Sequence, residues 1–210
     1  MERIEFTKMH GTGNDYIYIN CFKQKIADPS DLAKKMSPRR FSVGADGIIL
    51  ICPSSAADAK MRMFNSDGSE GKMCGNGIRC VGKYLYDNGM VNKKTITVET
   101  LSGIKTLEVT DKNGKAELLL VNMGKPRLSP AEIPVIYNGE KMVNAPVSVG
   151  EREYRITAVS TGNPHAVVFC EDDPAALDLE RIGPEFENNR VFPERVNTEF
   201  IQVLSPTHLK

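Results

Sequence analysis

The chain has 210 residues, of which 40% are hydrophobic, so it is long enough for one large globular domain or two small ones. Lysine plus arginine and aspartate plus glutamate each number 27, and this balance gives no electrostatic reason to expect a nucleic-acid or membrane partner. No apolar stretch approaches the ~20 residues that cross a bilayer, and the N-terminus lacks the apolar core of a signal peptide. We therefore expect a cytoplasmic protein.

The cysteine count argues against two other classes of protein. Five cysteines form an odd and sparse set, which is not typical of a secreted disulfide framework. Cys74 and Cys80 are too far apart in sequence for a zinc knuckle, and the chain has only three histidines. We therefore expect no metal site and no metal cofactor.

The first third of the chain predicts strands joined by polar turns. Weak alternation over residues 3–9 and 16–21 predicts two strands, with a turn at 11–14. Asp28–Pro29 predicts the start of a short helix, with the aspartate as N-cap and the proline in the first turn. A glycine-rich turn at 44–47 then precedes a buried strand at 48–52.

The stretch from Phe64 to Cys80 carries the strongest functional pattern. Turn-forming residues follow a strand at 60–65, and Ile78, Val81 and Leu85 then share the spacing of one helix face. Asn88–Gly89 predicts the end of this helix. Cys74 is therefore predicted to lie at a helix N-terminus.

That position gives Cys74 two chemical properties. The helix dipole and free N–H groups favour a thiolate, and Gly75 and Gly77 leave the backbone open to a small carboxylate. A thiolate beside an anion-binding backbone suits chemistry on an amino acid or another small acid. Cys80 is expected to be a buried hydrophobic residue, about 240° around the helix from Cys74, so it should not act with it.

The remaining elements complete the first domain and predict a second, similar lobe. β-Branched residues at 95–100 and a hairpin turn at 111–114 predict antiparallel strands. Glycine and three prolines between residues 124 and 134 place a domain boundary after Met123, giving domains 1–123 and 124–210. In the second domain, Asp173–Pro174 predicts another helix start. Leu179, Ile182 and Phe186 are expected to form that helix's apolar face.

A short internal repeat supports two related halves. Gly13–Asn14 and Gly162–Asn163 each precede a buried strand and then an Asp–Pro pair, and the two asparagines are 149 residues apart. Duplicated halves would supply two equivalent half-sites, as required by chemistry with an acid and a base on opposite faces of a substrate. The same offset places a counterpart of Cys74 near position 223, and the sequence ends at Lys210.

Four motifs resemble those of the diaminopimelate epimerase family, and they occur in the family's order along the whole chain. The strongest joins Asn-Ser-Asp-Gly-Ser-Glu at 65–70 to Met-Cys-Gly-Asn-Gly-Ile-Arg-Cys at 73–80. The others are residues 8–16, Gly-Asn-Pro-His at 162–165, and Arg-Val-Asn-Thr-Glu-Phe at 195–200. The resemblance implies an α+β fold of two similar lobes, each an antiparallel sheet or barrel curled around a central helix.

The resemblance also implies an activity and a set of site residues. Members of the family interconvert LL- and meso-diaminopimelate for lysine and peptidoglycan precursors, without pyridoxal phosphate, as homodimers with two cysteines that act as acid and base. Cys74 matches one of these cysteines, and His165 matches an auxiliary position. The matches to substrate-binding positions are Asn14, Gly47, Asn65, Gly75, Asn76, Asn163 and Asn197.

The sequence departs from the family in one respect. The motif of the second catalytic cysteine, and the Glu-Arg pair before it, are absent from these 210 residues. We therefore expect a C-terminally truncated chain, or one that has lost activity. At Gly47 the family uses a pocket-lining side chain, whereas here only backbone is available.

Other functions are compatible with the same residues. A cysteine hydrolase would use Cys74 as nucleophile and His165 as its base, and would need the two in contact. A proline racemase-like or phenazine-pathway isomerase-like activity is also compatible with the pattern. A non-catalytic remnant that binds the substrate or dimerises is the last alternative.

Overall fold

Strands account for most of the regular secondary structure in residues 3–210, which the computed structural model describes. The chain divides into two compact units, one ending at Met123 and the other running from Gly124 to Lys210. Among the described residues, no helix combines the length and the apolar character needed to cross a membrane.

The first unit contains two helices and eight strands among its described residues. The helices are α1 (Pro29–Met36) and α2 (Gly75–Asp87). The strands are β1 (Thr7–Gly11), β2 (Asn14–Asn20), β3 (Gly47–Cys52), β4 (Ala59–Asn65), β5 (Glu70–Gly71), β6 (Thr95–Thr100), β7 (Gly103–Lys112) and β8 (Lys115–Asn122).

These strands form one mixed sheet in the order β1-β2-β3-β4-β6-β7-β8, with β5 paired to β4. The predicted hairpin β7–β8 is antiparallel, as are most pairs, but β2–β3 and β4–β6 are parallel. The expectation of antiparallel strands therefore does not hold for these two pairs. Helix α1 lies between β2 and β3, and α2 lies between β4 and β6. A connection that contains a helix is long enough to return the chain for parallel pairing.

At β2 and β3 both faces of this sheet are buried, because each face packs against a helix. On β2, Tyr16 and Tyr18 face the core built around α2, whereas Ile17 and Ile19 face the core that includes Ala33 of α1. This alternation follows the two-residue period of a strand. Helix α2 contacts β1 and β8, the two ends of the sheet, as well as β2, β6 and β7, so the sheet curls around it.

The predicted limits of the helices in this unit are confirmed. Asp28 caps α1 by accepting a hydrogen bond from the Asp31 N–H at 3.0 Å. Helix α2 ends at Asp87 with Asn88 as C-cap. Ile78, Val81 and Leu85 are fully buried, and Cys80 is buried as expected.

The second unit has a smaller mixed sheet in the order β13-β12-β11-β10-β9. Strands β11 and β12 are parallel, and the other pairs are antiparallel. Its elements are β9 (Ala145–Val149), β10 (Arg152–Ser160), β11 (Pro164–Cys170), α3 (Leu179–Glu187), β12 (Asn197–Ser205) and β13 (His208–Leu209).

The core of the second unit lies on one face of its sheet. Phe186 of α3 is fully buried and makes edge-to-face contacts with Tyr154 and Phe200, at centroid distances of 4.8 and 5.1 Å. The predicted helix start is corrected, because Asp173 begins a separate 3₁₀ turn whereas Asp178 caps α3. Leu179 is consequently 51% exposed rather than part of the apolar face.

The observed fold class is the predicted one. It is α+β with few helices, and the sheet of the first unit is curled around a central helix.

Candidate active site

Cys74 lies at the N-terminus of α2, as predicted. Its backbone is extended, with φ −136° and ψ 111°, and its Sγ accepts a hydrogen bond from the Gly77 N–H at 3.2 Å. A Cβ at Gly77 would lie 2.5 Å from Ile49 Cδ1, so a larger residue there would displace the end of this buried side chain. The sulfur is therefore held where helix N–H groups point at it.

A tight turn brings the β1–β2 hairpin against this helix start. Thr12 and Gly13 form its two-residue loop, both with positive φ (52° and 83°), the combination found in type I′ hairpins. Thr12 Oγ1 donates to Asn76 Oδ1 at 3.0 Å, and a Cβ at Gly11 would lie 3.0 Å from the Asn76 carbonyl oxygen. The turn and the first turn of α2 are thus in direct contact.

Asn14 follows this turn and contacts the thiol. The Cys74 thiol donates to Asn14 Oδ1 at 3.3 Å, and Asn14 Nδ2 donates to Asp46 Oδ2 at 2.7 Å. Since the carboxylate can only accept, it fixes the amide with its oxygen toward Cys74. Asp46 was interpreted from the sequence only as part of a turn, and its role in orienting Asn14 was missed.

A cluster of charged side chains holds Asp46 in its position beside Asn14. Arg39 lies 2.6 Å from Asp15 and 2.7 Å from Asp46, and Lys8 lies 3.1 Å from Asp15. Hydrogen bonding to Arg39, assisted by Lys8, lowers the pKa of Asp15 to about 2. Asp15 thus stays ionised and binds both cations, while Arg39 also holds Asp46 in place.

Tyr16 is a second residue that sequence reasoning missed. It is 5% exposed, and burial together with the neighbouring Cys74 raises the pKa of Tyr16 well above its usual range. Its hydroxyl therefore remains protonated beside Cys74 and Asn14. The internal repeat could have identified it, since Tyr16 follows Asn14 by two residues just as His165 follows Asn163.

Gly47 and Asn65 are paired across β3 and β4 at the same end of the sheet as Asn14. The Asp46 N–H donates to the Asp15 carbonyl at 2.8 Å, which ties the start of β3 to the start of β2. A Cβ at Gly47 would lie 2.0 Å from the Phe64 carbonyl oxygen, so this backbone excludes any side chain there. Asn65 Nδ2 donates to Ser69 Oγ at 3.0 Å.

The second unit holds its own group of predicted site residues. His165 Nδ1 lies 2.6 Å from Glu199 Oε1, and His165 Nε2 lies 3.1 Å from Asn163 Oδ1. Asn197 pairs with His165 across β11 and β12, and its Nδ2 donates to the Pro164 carbonyl at 3.2 Å. Glu199 was not among the predicted site residues, although it lies two residues after Asn197 on the same strand.

The structure therefore groups the predicted residues within each unit. Cys74 and Asn14 are in direct contact, Gly75 follows Cys74 in the chain, and Asn76 lies one helical step further. Gly47 and Asn65 lie at the same end of the sheet as Asn14. In the second unit, Asn163, His165 and Asn197 form one polar cluster. Residues 3–210 contain no group of three or more histidine, cysteine or acidic side chains arranged to bind a metal ion.

Comparison with known proteins gives a consistent result. The family model for diaminopimelate epimerase matches residues 6–129. The chain is 54% identical over 207 residues to the diaminopimelate epimerase of Acetivibrio thermocellus, covering 99% of this chain and 74% of that protein. It is 51% identical over 215 residues to the diaminopimelate epimerase of Desulfovibrio desulfuricans, again covering 99% and 74%.

Solved structures with the same fold are more distant in sequence. A probable proline racemase from Agrobacterium radiobacter matches with a TM-score of 0.62 at 19% identity, over 86% of this chain and 53% of that one. A phenazine biosynthesis protein of the PhzF family from Bacillus anthracis matches with a TM-score of 0.58 at 18% identity, over 100% and 71%. These two matches concern the fold, whereas the high sequence identities show that the chain belongs to the diaminopimelate epimerase family.

Proposed function

We propose that this chain epimerises LL-2,6-diaminopimelate to meso-diaminopimelate, with Cys74 as one of the two acid–base groups. The observation that carries the proposal is the position of Cys74 Sγ, between the Gly77 N–H at the start of α2 and the Asn14 amide. The names of the relatives give the reaction, and they do not favour the cysteine-hydrolase alternative.

The chemistry requires the removal of a very weakly acidic α-proton without a cofactor that delocalises the resulting charge. A thiolate at a helix N-terminus can serve as the base, because the Gly77 N–H and the helix dipole stabilise negative sulfur. Burial of Tyr16 and Ile49 on the core side keeps that side of the sulfur dry, which strengthens these electrostatic interactions.

Substrate binding is assigned to the neutral polar groups around the thiol. The backbone N–H groups at Gly75 and Asn76 are suited to a carboxylate, as at other helix N-termini. Asn14 Oδ1 is suited to the substrate ammonium once the thiol no longer donates to it. Asn65 and Gly47 complete the proposed contacts on this unit.

The second unit contributes Asn163 and Asn197 as further substrate contacts and His165 as an auxiliary group. Glu199 accepts from His165 Nδ1 and thereby orients the ring. Asn163 accepts or donates at Nε2, according to the orientation of its amide. His165 is accordingly proposed to influence acid–base chemistry rather than to act as a nucleophile's base.

The remaining family-level properties belong to the same proposal. They are independence of pyridoxal phosphate, the two-cysteine mechanism, a homodimer, a cytoplasmic location, and a place in lysine and peptidoglycan precursor synthesis. We assign no residue of this sequence to the second cysteine's role. Light scattering coupled to size-exclusion chromatography would test the homodimer directly.

The deciding experiment is incubation with LL-diaminopimelate in deuterium oxide, followed by NMR and chiral analysis. We expect deuterium at the α-carbon in the meso product, in recovered LL substrate, or in both, since a single working base suffices for exchange. Cys74→Ala should reduce this exchange by at least about 10³-fold, the scale of losing a principal acid–base group.

Cys170→Ala is the matched control, because Cys170 is a partly buried cysteine of the second unit outside the proposed site. It should exchange deuterium at the wild-type rate. Absence of exchange in the wild type would overturn the proposed activity. Undiminished exchange in Cys74→Ala would overturn only the role of Cys74.

A further inference from the structure

Two cysteines that the proposed reaction does not use lie side by side in the first unit. Strands β2 and β3 are parallel, with Ile17 beside Ile48 and Ile19 beside Leu50. The next pair with the same period is Cys21 and Cys52, and the Cys21 N–H donates to the Ile51 carbonyl at 2.8 Å, which extends the ladder to this point. The two thiols are thus neighbours across adjacent strands.

Both side chains also lie on the same face of the sheet. Ile17, Ile19, Ile48 and Leu50 belong to the core that includes α1, and Cys21 and Cys52 pack against the edge of that core. The four aliphatic residues are at most 2% exposed, whereas both cysteines are partly accessible. The cysteines are therefore the last pair of residues on this face, at the edge of the core, where a small molecule can reach them.

The surroundings distinguish the two thiols chemically. The pKa of Cys52 is lowered by a hydrogen bond with the Cys21 thiol and by the positive charges of Arg62 and Lys60. Burial and Glu70 oppose this shift. The same interaction with Cys52, together with burial, raises the pKa of Cys21. Lys60 is the residue paired with Cys52 on the adjacent strand β4. Cys52 is accordingly the better nucleophile, and Cys21 is placed to react second.

We propose that Cys21 and Cys52 form a reversible dithiol–disulfide site that reacts with low-molecular-weight disulfides. The Cys52 thiolate attacks one sulfur of the small disulfide, forming a mixed disulfide and releasing one small thiolate. Cys21, after losing its proton to solvent, attacks the Cys52 sulfur and releases the second small thiolate. The two protein thiols are oxidised, and one small disulfide is reduced to two thiols.

The geometry indicates why this disulfide would be easily reduced. Neighbouring strands are spaced about 4.8 Å apart, which is within the Cα separation that a disulfide tolerates. Side chains that leave adjacent parallel strands in the same direction keep nearly that spacing at Cβ, whereas a relaxed disulfide needs about 3.8 Å. The resulting strain and the partial exposure favour reversible rather than permanent oxidation.

The test is oxidation of the full chain with glutathione disulfide, followed by alkylation and tryptic peptide mapping without reduction. Trypsin separates the two cysteines, because it cleaves after Lys23 and Arg40. We expect a cross-linked peptide pair that contains Cys21 and Cys52, reversed by dithiothreitol. In Cys21→Ser the glutathione adduct should remain on Cys52, and in Cys52→Ser modification of Cys21 should slow at least about tenfold.

Cys170→Ser is the control and should leave the cross-link unchanged, since Cys170 belongs to the other unit. Peptide mapping separates this chemistry from any glutathione adduct at Cys74. The proposal is overturned if the wild type shows an adduct at Cys74 but no link between Cys21 and Cys52. A persistent, unresolved adduct at Cys52 in the wild type would overturn it as well.

Discussion

The two units begin their parallel strand pairs in the same way and complete them differently. In the first unit Tyr16 lies beside Gly47, one step before the Ile17–Ile48 pair, and in the second His165 lies beside Asn197. Each pair follows a Gly–Asn dipeptide. The two strand starts therefore present a polar side chain two residues after an asparagine, a tyrosine in one unit and a histidine in the other.

The neighbouring strand explains the difference between Gly47 and Asn197. Strand β3 has β4 on its other side, and Gly47 is paired with Asn65 so closely that a Cβ would overlap the Phe64 carbonyl. Strand β12 has only the short β13 on its other side, paired near Val203 and Ser205. Asn197 therefore has room for a side chain. A third strand, rather than the chemistry of the site, makes glycine necessary at position 47.

The largest expected effect concerns how the helix of each unit is buried. Leu85 of α2 is fully buried inside the curled sheet, whereas Ile182 of α3 is 6% exposed on one face of its sheet. Leu85→Ala should cost about 2–5 kcal/mol, and Ile182→Ala should lie near the lower end of that range. Amide hydrogen exchange measured by mass spectrometry reads the two units separately. Equal losses of protection would show that the two helices are buried alike.

Gly47→Ala tests the role of the third strand. The added methyl group meets backbone, which cannot rotate away, so β3 and β4 must separate at a cost of about 1–3 kcal/mol. Asn197→Ala, the matched change in the other unit, removes one hydrogen bond to Pro164 and should cost about 1 kcal/mol. Urea unfolding followed by circular dichroism gives both values, and a milder effect at Gly47 would contradict the steric explanation.

Loss of a helix cap should reduce stability by an intermediate amount. Asp28 accepts from the Asp31 N–H at 3.0 Å, and Asp178 accepts from the Arg181 N–H at 3.3 Å. Replacing either aspartate by alanine should cost about 0.5–2 kcal/mol, with Asp28 the more costly because its bond is shorter. The corresponding asparagine variants should retain most of the stability. A larger loss of stability in Asp178→Ala than in Asp28→Ala would show that the hydrogen-bond length of the cap does not determine the loss.

The last effect is electrostatic and is confined to acid pH. Because the folded-state pKa of Asp15 is about 2, against an ordinary value of 3.8, its contribution to stability is complete above pH 3.8 and is lost as pH falls toward 2. Arg39→Ala should raise that pKa toward the ordinary value and move acid unfolding of the first unit to higher pH. Carboxyl-carbon NMR titration measures this directly.

Asp173 of the second unit is the matched control for salt dependence. Its ion pair with Lys210 lowers the pKa of Asp173, but both side chains are almost half exposed, whereas the Asp15 side chain is 14% exposed. Added salt should therefore return the pKa of Asp173 to its ordinary value before that of Asp15. The opposite order would contradict the role of burial in protecting the Asp15 cluster.

Local patterns predicted the elements and the position of Cys74, because those patterns arise from adjacent residues. The spacing of Ile78, Val81 and Leu85, the Asn88–Gly89 stop and the Asp28 cap were sufficient for both helices of the first unit. The parallel pairing of β2 with β3 was not predictable in this way, since it depends on where a crossover returns.

The same limit applied to the candidate site. Asp46 orients Asn14, and Glu199 orients His165, through contacts between residues 32 and 34 positions apart in the chain. Sequence reasoning identified the asparagine and the histidine by resemblance, but it had no local pattern for their partners. Tyr16 was also missed, although a signal for it existed, since the Gly–Asn repeat aligns it with His165.

The enclosure of α2 has a consequence for how the first unit forms during synthesis. Met9 on β1 and Leu119 on β8 pack against the same core as Ile78 and Val81, yet they are 110 residues apart in sequence. Contacts of such long range form slowly, because a large loop must close before they are gained. The part of the apolar face of α2 that β8 covers therefore stays exposed until β8 has emerged from the ribosome, and over that interval the nascent chain depends on protection from aggregation.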